Sequence, residues 1–225
     1  MLLSCAKKQI PADDSLFGLD YYPDSLGRFV VYDVDSTVYT ENPKDTLQFK
    51  YRIKEKLVER FIDNEGKLAT RLERYIKKYN SIKSYDSIPW EVKETWMVNT
   101  DKVSVRVMEN NVRYTKLIFP IQEKASWNGN AFNSIGEWTY TYDYIDRKES
   151  INSNALGNVL FVNQKNYRTL ISYQNYFEKY AKGVGLVQKQ ITDLLSNNIV
   201  TNVAVEDRIE SGLIYKQILV TYGYE

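Results

Sequence analysis

The sequence predicts a mainly β protein, built as a single curved antiparallel sheet or an open β-barrel of about ten strands, with little helix. Tyrosine alone accounts for 19 of the 225 residues, and aromatic and β-branched residues favour pleated, half-buried surfaces. Several segments alternate between apolar and polar residues, as strands with one dry and one wet face do. These segments follow one another at hairpin spacing, which is typical of an antiparallel sheet or barrel.

The first two predicted strands show the alternation most clearly. In GRFVVYDVDSTVYT, Val30, Tyr32 and Val34 share one parity, whereas Asp33 and Asp35 share the other. The segment DTLQFKYRIKEK alternates in the same way, with its rings on one face and its lysines on the opposite face. The sequence DNEG at 63–66 then marks a turn. Residues 67–80 fit either a helix or a strand, and their position after a strand and a turn favours a hairpin arm.

The later segments continue the pattern with one interruption. WEVKETWMVNT is expected to place Trp90, Val92, Trp96 and Val98 on one face of a strand. A hairpin follows with its turn at 109–111, because asparagine tolerates the positive φ that such turns need. Residues 120–136 form a long loop, and further strands complete the sheet. We divide the chain into a tether at 1–20 and a single β domain at 21–225.

Composition excludes several classes of chemistry. The sequence contains no histidine and a single cysteine, so histidine-dependent triads, histidine-ligated zinc, disulfides within the chain and multi-cysteine metal sites are all excluded. Thirty basic and 29 acidic residues leave a net charge of +1, which argues against a nucleic-acid partner. No apolar run approaches the ~18 residues of a membrane-spanning helix. We therefore predict no catalytic residue, no metal site and no cofactor.

The single cysteine, Cys5, lies in the string Leu2-Leu3-Ser4-Cys5, which resembles a bacterial lipobox. The segment AKKQIPADDS that follows is polar and fits a flexible tether. A secretory signal needs roughly 7–15 apolar residues, so lipidation at Cys5 requires a start upstream of Met1. The alternative is an unmodified thiol. An acylated Cys5 would anchor the protein to a membrane rather than span it.

A triplet recurs along the first 90 residues: Asp comes first, Ser or Thr second, and an apolar residue or Thr third. They resemble the O-glycosylation acceptor of exported proteins in Bacteroidetes-type bacteria. The predicted acceptors are Ser15, Ser25 and Ser87, which lie in expected loops. The alternative is that Asp-Ser and Asp-Thr simply start turns.

Three further features are candidates for binding. Asp33 and Asp35 point to one side of a strand with Cβ atoms roughly 6–7 Å apart, which would suit glycan hydrolysis or calcium, or simply a solvated face. The string FKYRIKEK could bind a polyanion, but its rings and cations fall on opposite faces. Trp127 lies in the glycine- and asparagine-rich loop and is expected either to plug the open end of the sheet or to contact a partner or ligand.

Several longer strings together resemble a family of uncharacterised predicted lipoproteins from Bacteroidetes-type bacteria. These strings are YYPDSLGRFVVYDVDS, WNGNAFNSIGEWTYTYDYID, YAKGVGLVQKQI and LVTYG, and they cover most of residues 20–224. WNGNAFN and YAKGVGLV are the most specific parts. The resemblance implies an exported, lipid-anchored β protein without an established activity. No catalytic residue can be transferred from it.

Three functions follow as expectations. The first is a non-enzymatic lipoprotein of the outer membrane, anchored by a palmitate-type chain, that serves as an accessory or scaffold subunit for other envelope proteins. The second is a carrier of a lipid or other apolar ligand in a concave sheet. The third is a glycan hydrolase that uses Asp33 and Asp35. Lys7 and Lys8 stand just after the cysteine, which leaves open whether the protein faces the periplasm or the cell surface.

Overall fold

A computed structural model describes residues 17–41 and 45–225, and within these residues the chain forms twelve strands and three short 3-10 helices. The strands are Arg28–Tyr39 (β1), Thr46–Ile62 (β2), Leu68–Lys78 (β3), Glu91–Thr100 (β4), Ser104–Glu109 (β5), Val112–Ile118 (β6), Ser126–Asn128 (β7), Thr139–Ile151 (β8), Asn154–Arg168 (β9), Ser172–Ala181 (β10), Gly185–Leu195 (β11) and Ser211–Tyr224 (β12). The 3-10 helices are Leu19–Tyr21, Tyr85–Ser87 and Val205–Asp207.

All twelve strands belong to one antiparallel sheet. Their order is β6-β5-β4-β3-β2-β1-β12-β11-β10-β9-β8-β7, so the first and last strands pair in the middle of the sheet. Each arm of the sheet therefore consists of hairpins between strands that are consecutive in sequence. The predicted mainly β fold of about ten strands is confirmed, with twelve strands observed.

The two edge strands of the sheet, β6 and β7, approach each other and nearly close it into a barrel. The backbone N–H of Thr115 donates to the carbonyl oxygen of Gly129 at 2.9 Å. The indole Nε1 of Trp127 donates to the carbonyl oxygen of Thr115, also at 2.9 Å. The hydroxyl of Tyr142, on β8, accepts from the N–H of Ile118 at 2.8 Å and donates to its carbonyl oxygen at 2.7 Å. These contacts pair backbone groups that an open edge would leave exposed.

One end of the sheet is filled by the first described residues, and we call it the proximal end. The rings of Tyr21 and Tyr22 enter the main apolar core there. The N–H of Ile121 donates to the carbonyl oxygen of Phe17, and the N–H of Gly183 donates to that of Asp20. Phe17 and Asp20 therefore contact the loops that follow β6 and β10. We call the opposite end, where β1 stops and β12 begins, the distal end.

Two local predictions about strands are confirmed and one is wrong. Val30, Tyr32 and Val34 are buried, and the segment that fitted helix or strand is strand β3. However, Trp90, Val92, Trp96 and Val98 do not share a face. A register shift between Arg74 and Tyr75 against β4 inserts an extra residue, which changes the parity of the strand. Val98 is consequently buried, while Val92 is 73% exposed.

The edge-closing role of Tyr142 gives a stability prediction. Replacing Tyr142 with Phe should lower the free energy of unfolding by about 1–3 kcal/mol, because two partly buried backbone groups of Ile118 lose their partner. Urea denaturation followed by circular dichroism measures the loss. Tyr167→Phe is the control, since Tyr167 is half exposed, and it should change stability by less than about 0.5 kcal/mol. Equal effects of the two changes would contradict the role of Tyr142.

Candidate functional site

The two aspartates singled out from the sequence lie on the outer face of the sheet, each beside a cation. Asp33 accepts two hydrogen bonds from Arg52, at 2.8 and 3.1 Å. Asp35 lies 3.7 Å from the Nζ of Lys50, and both of those side chains are more than half exposed. Ion pairs of this kind are what charged residues ordinarily form on the wet face of a strand.

Asp33 and Asp35 nevertheless line a groove rather than a flat strand; we call it the outer groove. Its walls come from β12, β1, β2, the β8–β9 turn and the segment between β3 and β4, and its volume is about 390 Å³. The side chains that matter for its chemistry are Asp33, Asp35, Lys50, Lys216, Tyr79 and Tyr85. The groove thus combines carboxylates, ammonium groups and phenol rings on one surface.

The inner face of the sheet carries a second polar cluster, which no sequence pattern had identified. The ammonium group of Lys116 lies 2.6 Å from Glu109 and 2.8 Å from Glu178. Lys189 lies 3.1 Å from Glu109 and 3.5 Å from Glu178. The hydroxyl of Tyr180 donates to Glu178 at 2.7 Å. We call the quartet of Glu109, Lys116, Glu178 and Lys189 the ionic layer.

A neighbouring ion pair extends the ionic layer along the inner face. The Nε of Arg74 lies 2.9 Å from Glu55, and the same guanidinium also pairs with Glu94. The guanidinium carbon lies 3.7 Å from the centre of the Trp96 ring, so the cation is stacked on an aromatic face. These three charged side chains are largely buried, and each has a partner of opposite charge.

Glu109, Lys116 and Glu178 stay charged because the groups of the ionic layer face one another. Burial by itself raises the pKa of Glu109 and Glu178, but the charges of Lys116 and Lys189 outweigh it and hold both values below the ordinary range of a glutamate. Burial by itself lowers the pKa of Lys116, and Glu109 and Glu178 outweigh it, so that pKa lies well above the ordinary value. Alternating charges therefore hold the layer together at neutral pH.

The space beside the ionic layer is small. The cavity lined by Arg28, Glu55, Lys116, Glu178 and other inner-face residues offers about 30 Å³ to water-sized molecules, which is room for about two waters. An apolar ligand of lipid size requires several hundred Å³ of pocket. The space beside the ionic layer is therefore too small for a ligand of lipid size.

The sequence does contain a weak signal for the ionic layer. Glu178 shares the strand parity of Tyr176 and Tyr180, and Glu109 shares the parity of Val105 and Val107. Charged residues on the apolar parity of a strand must find partners once the sheet closes. Lys116 gives no such signal, since a register shift between Val105 and Arg106 makes it a bulged residue of β6.

Trp127 lies in β7 and packs against the core. Its ring centroid is 4.6 Å from that of Tyr142 and 5.8 Å from that of Tyr140, and its indole nitrogen is bonded to Thr115. These contacts place Trp127 where β7 meets β6, and both the plug and the contact with a partner or ligand stay predictions.

The predicted modification sites are distributed unevenly. Cys5 and Ser15 lie outside the described residues. Ser25 is exposed in the loop before β1, and Ser87 is exposed in the 3-10 helix, where its hydroxyl donates to the carbonyl oxygen of Ser84. O-glycosylation at these serines stays a prediction. In residues 17–41 and 45–225, no three potential metal ligands cluster, and no helix has the length and apolarity to cross a bilayer.

The distal end of the sheet exposes apolar side chains from two neighbouring loops. Leu170, in the β9–β10 turn, is 68% exposed, and Ile199, in the β11–β12 connection, is 62% exposed. The loops contact each other, since the N–H of Ser196 donates to the carbonyl oxygen of Ile171 at 2.8 Å and Arg208 donates to that of Leu170. The residues that form this distal patch are Leu170, Ile171, Ile199, Val200 and Val203.

The fold and these sites define a nearly closed antiparallel sheet with a charged interior and an apolar distal end. No known family model matches the sequence, and no curated protein matches it. Two solved structures show some likeness. One, from Bacteroides fragilis, is named as an exported protein with a YmcC-like fold; it is 8% identical with a TM-score of 0.44, over 90% of this chain and 98% of that chain.

The other, from Parabacteroides distasonis, is named as a lipoprotein. It is 11% identical with a TM-score of 0.32, again over 90% of this chain and 98% of that chain. At TM-scores this low, neither likeness carries a conclusion about this chain's function. The resemblance to a Bacteroidetes lipoprotein family stays a prediction.

The ionic layer gives a second stability prediction. Replacing Glu178 with Gln should lower the free energy of unfolding by about 3–5 kcal/mol, because a buried ammonium group loses one of its two carboxylates. Glu206→Gln is the matched control. It removes a carboxylate whose pair with Arg168 is exposed, and should change stability by less than about 1 kcal/mol. Urea denaturation at pH 7 compares the two variants, and similar small losses would show that the layer does not depend on charge pairing.

Proposed function

We propose that this chain is a non-enzymatic lipoprotein of the outer membrane, anchored through Cys5, whose distal patch docks on another envelope protein. The observation that carries the proposal is the exposed apolar surface at the end of the sheet opposite the N-terminal segment. Soluble proteins rarely expose large contiguous apolar patches, and the patches that they do expose often mark interaction sites.

The route of the chain supports a protein partner for the distal patch rather than the bilayer. Phe17 lies at the proximal end, and twelve peptide steps separate it from Cys5. Twelve steps span at most ~43 Å when fully extended. The 12 residues of β1, which runs from the proximal to the distal end, span ~40 Å. A bilayer that held Cys5 would reach the distal patch only with the whole segment stretched beside the sheet.

The two other hypotheses receive less support from the geometry. A carrier that encloses an apolar ligand needs a large dry cavity, and the inner face holds the ionic layer and about 30 Å³ of free space. A hydrolase needs two carboxyl groups that both contact the sugar, whereas Asp33 lies 2.8 Å from Arg52 and Asp35 lies 3.7 Å from Lys50. Docking requires neither feature.

The anchor is tested by Cys5→Ser in the full gene product, expressed in a diderm host with its native export. We expect the variant to leave the membrane fraction and to lose labelling by an alkyne-tagged palmitate, because acyl chains supply the membrane affinity of such proteins. Ser25→Ala is the control and should stay in the membrane fraction. Retention of the Cys5→Ser protein on salt-washed membranes would contradict the anchor.

Docking is tested by a photo-crosslinking residue placed at Ile199, in the distal patch, or at Ile62, which is 65% exposed at the proximal end. In native membranes we expect position 199 to capture one defined envelope protein, identified by mass spectrometry, and position 62 to capture none. The additional change Leu170→Ser should reduce capture at 199 by at least about tenfold, which corresponds to ~1.4 kcal/mol. The same products from both positions, or none from position 199, would contradict docking at the distal end.

A further inference from the structure

We infer that the outer groove is a binding site for an acidic saccharide, such as a chain of uronic acids. This inference uses different residues from the distal patch and does not depend on the docking proposal. It rests on three features of the groove: two tyrosine rings held at an angle, a row of alternating charges, and an open volume that suits a small ligand.

The first feature is the pair of tyrosine rings. Tyr79 and Tyr85 lie with their ring centroids 6.4 Å apart and their planes at 64°. The guanidinium of Arg52 lies 4.5 Å from the centre of the Tyr85 ring, and Lys77 donates to the carbonyl oxygen of Tyr85 at 2.7 Å. Tyr85 is therefore held in place by Arg52 and Lys77, whereas the side chain of Tyr79 is 58% exposed. Exposed, fixed rings offer an apolar face for the C–H groups of a sugar while their hydroxyls stay polar.

The second feature is a row of charges across three strands. Asp35 pairs in register with Lys216 on β12 and with Lys50 on β2, so a carboxylate lies between two ammonium groups. In the next row Asp33 is paired with Arg52. Two carboxylates thus face two ammonium groups in the outer groove, and the adjoining recess, which shares Lys50 and Tyr79, is lined by two further lysines, Lys78 and Lys93, and by no carboxylate. The groove therefore favours a ligand with negative charge, although its carboxylates still require hydrogen-bond donors.

These charges select among anionic ligands. A polyphosphate carries no hydroxyl donors and would be repelled by Asp33 and Asp35. A uronic acid has several hydroxyls that donate to carboxylates and one carboxylate that pairs with an ammonium group. It also has apolar C–H faces for the two rings. The acidic saccharide is the ligand that uses the carboxylates, the ammonium groups and the two rings together.

The third feature is size and access. A volume of about 390 Å³ lies within the ~300–1,000 Å³ range of small-molecule sites. Lys216 is exposed and Asp33 is partly exposed, so a ligand reaches both without any movement of the sheet. The groove is open on one side, which suits a chain of sugars that continues into solvent.

The test measures binding of a galacturonic acid tetramer and of the neutral galactose tetramer to the full chain by isothermal titration calorimetry at low salt. We expect the acidic tetramer to bind at least about tenfold more tightly than the neutral one. Tyr79→Ala and Lys216→Gln should each weaken binding of the acidic tetramer by about tenfold. Affinity should also fall as salt is raised, because exposed charges are screened.

Matched controls separate the groove from general electrostatics. Lys148→Gln removes the same charge from an exposed lysine outside the groove, and Tyr167→Ala removes an exposed ring elsewhere; both should leave the affinity unchanged. The inference is overturned if the acidic tetramer shows no binding up to about 20 mM, or if the neutral tetramer binds equally well. It is also overturned if Lys148→Gln weakens binding as much as Lys216→Gln does.

Discussion

A sheet that closes on itself must satisfy the backbone groups of its two edge strands, and the rest of this structure depends on how that is done. The loop after β6 returns the chain so that β7 lies beside β6, and Thr115, Gly129 and Tyr142 supply the joining hydrogen bonds. Closure removes the inner face from water. Every charged group on that face must then find a partner within the protein.

The ionic layer is the consequence of that requirement. Lys116 comes from β6 and Glu178 from β10, strands on opposite arms of the sheet, and their side chains meet across the interior. Such pairs contribute little net stability compared with apolar packing, but each partner is costly to lose. Because the layer occupies this part of the interior, the cavity beside it has room for about two waters and not for a ligand of lipid size.

Both ends of the sheet expose apolar side chains, Ile62 at the proximal end among them, but the ends differ in how the core is covered. At the proximal end Tyr21 and Tyr22 cover the core and Asp20 bonds to the β10–β11 turn. At the distal end Leu170 and Ile199 have no such cover within the described residues. The outer groove lies on the side wall between them, where the register of β1 with β2 and β12 brings opposite charges into rows. One surface is therefore suited to apolar docking, and the other to a charged, hydroxyl-bearing ligand.

The sequence by itself determined the local features of this protein. Alternation specified which side of β1 is buried at Val30 and Tyr32, and asparagines at 110 and 111, both with positive φ, specified a hairpin turn. The position of Asp33 and Asp35 on the wet face also follows from that alternation. These features depend only on neighbours along the chain, so a period of two is enough to predict them.

Tertiary structure alone decided the rest. The register shift that turns Trp90 away from Trp96, the bulge that turns Lys116 inward, and the meeting of Lys116 with Glu178 all depend on strand pairing. The outer groove likewise needs β12 beside β1, although nearly the whole chain separates them in sequence. Pairing between distant segments is set by closure of the whole sheet, and no local pattern of residues contains that information.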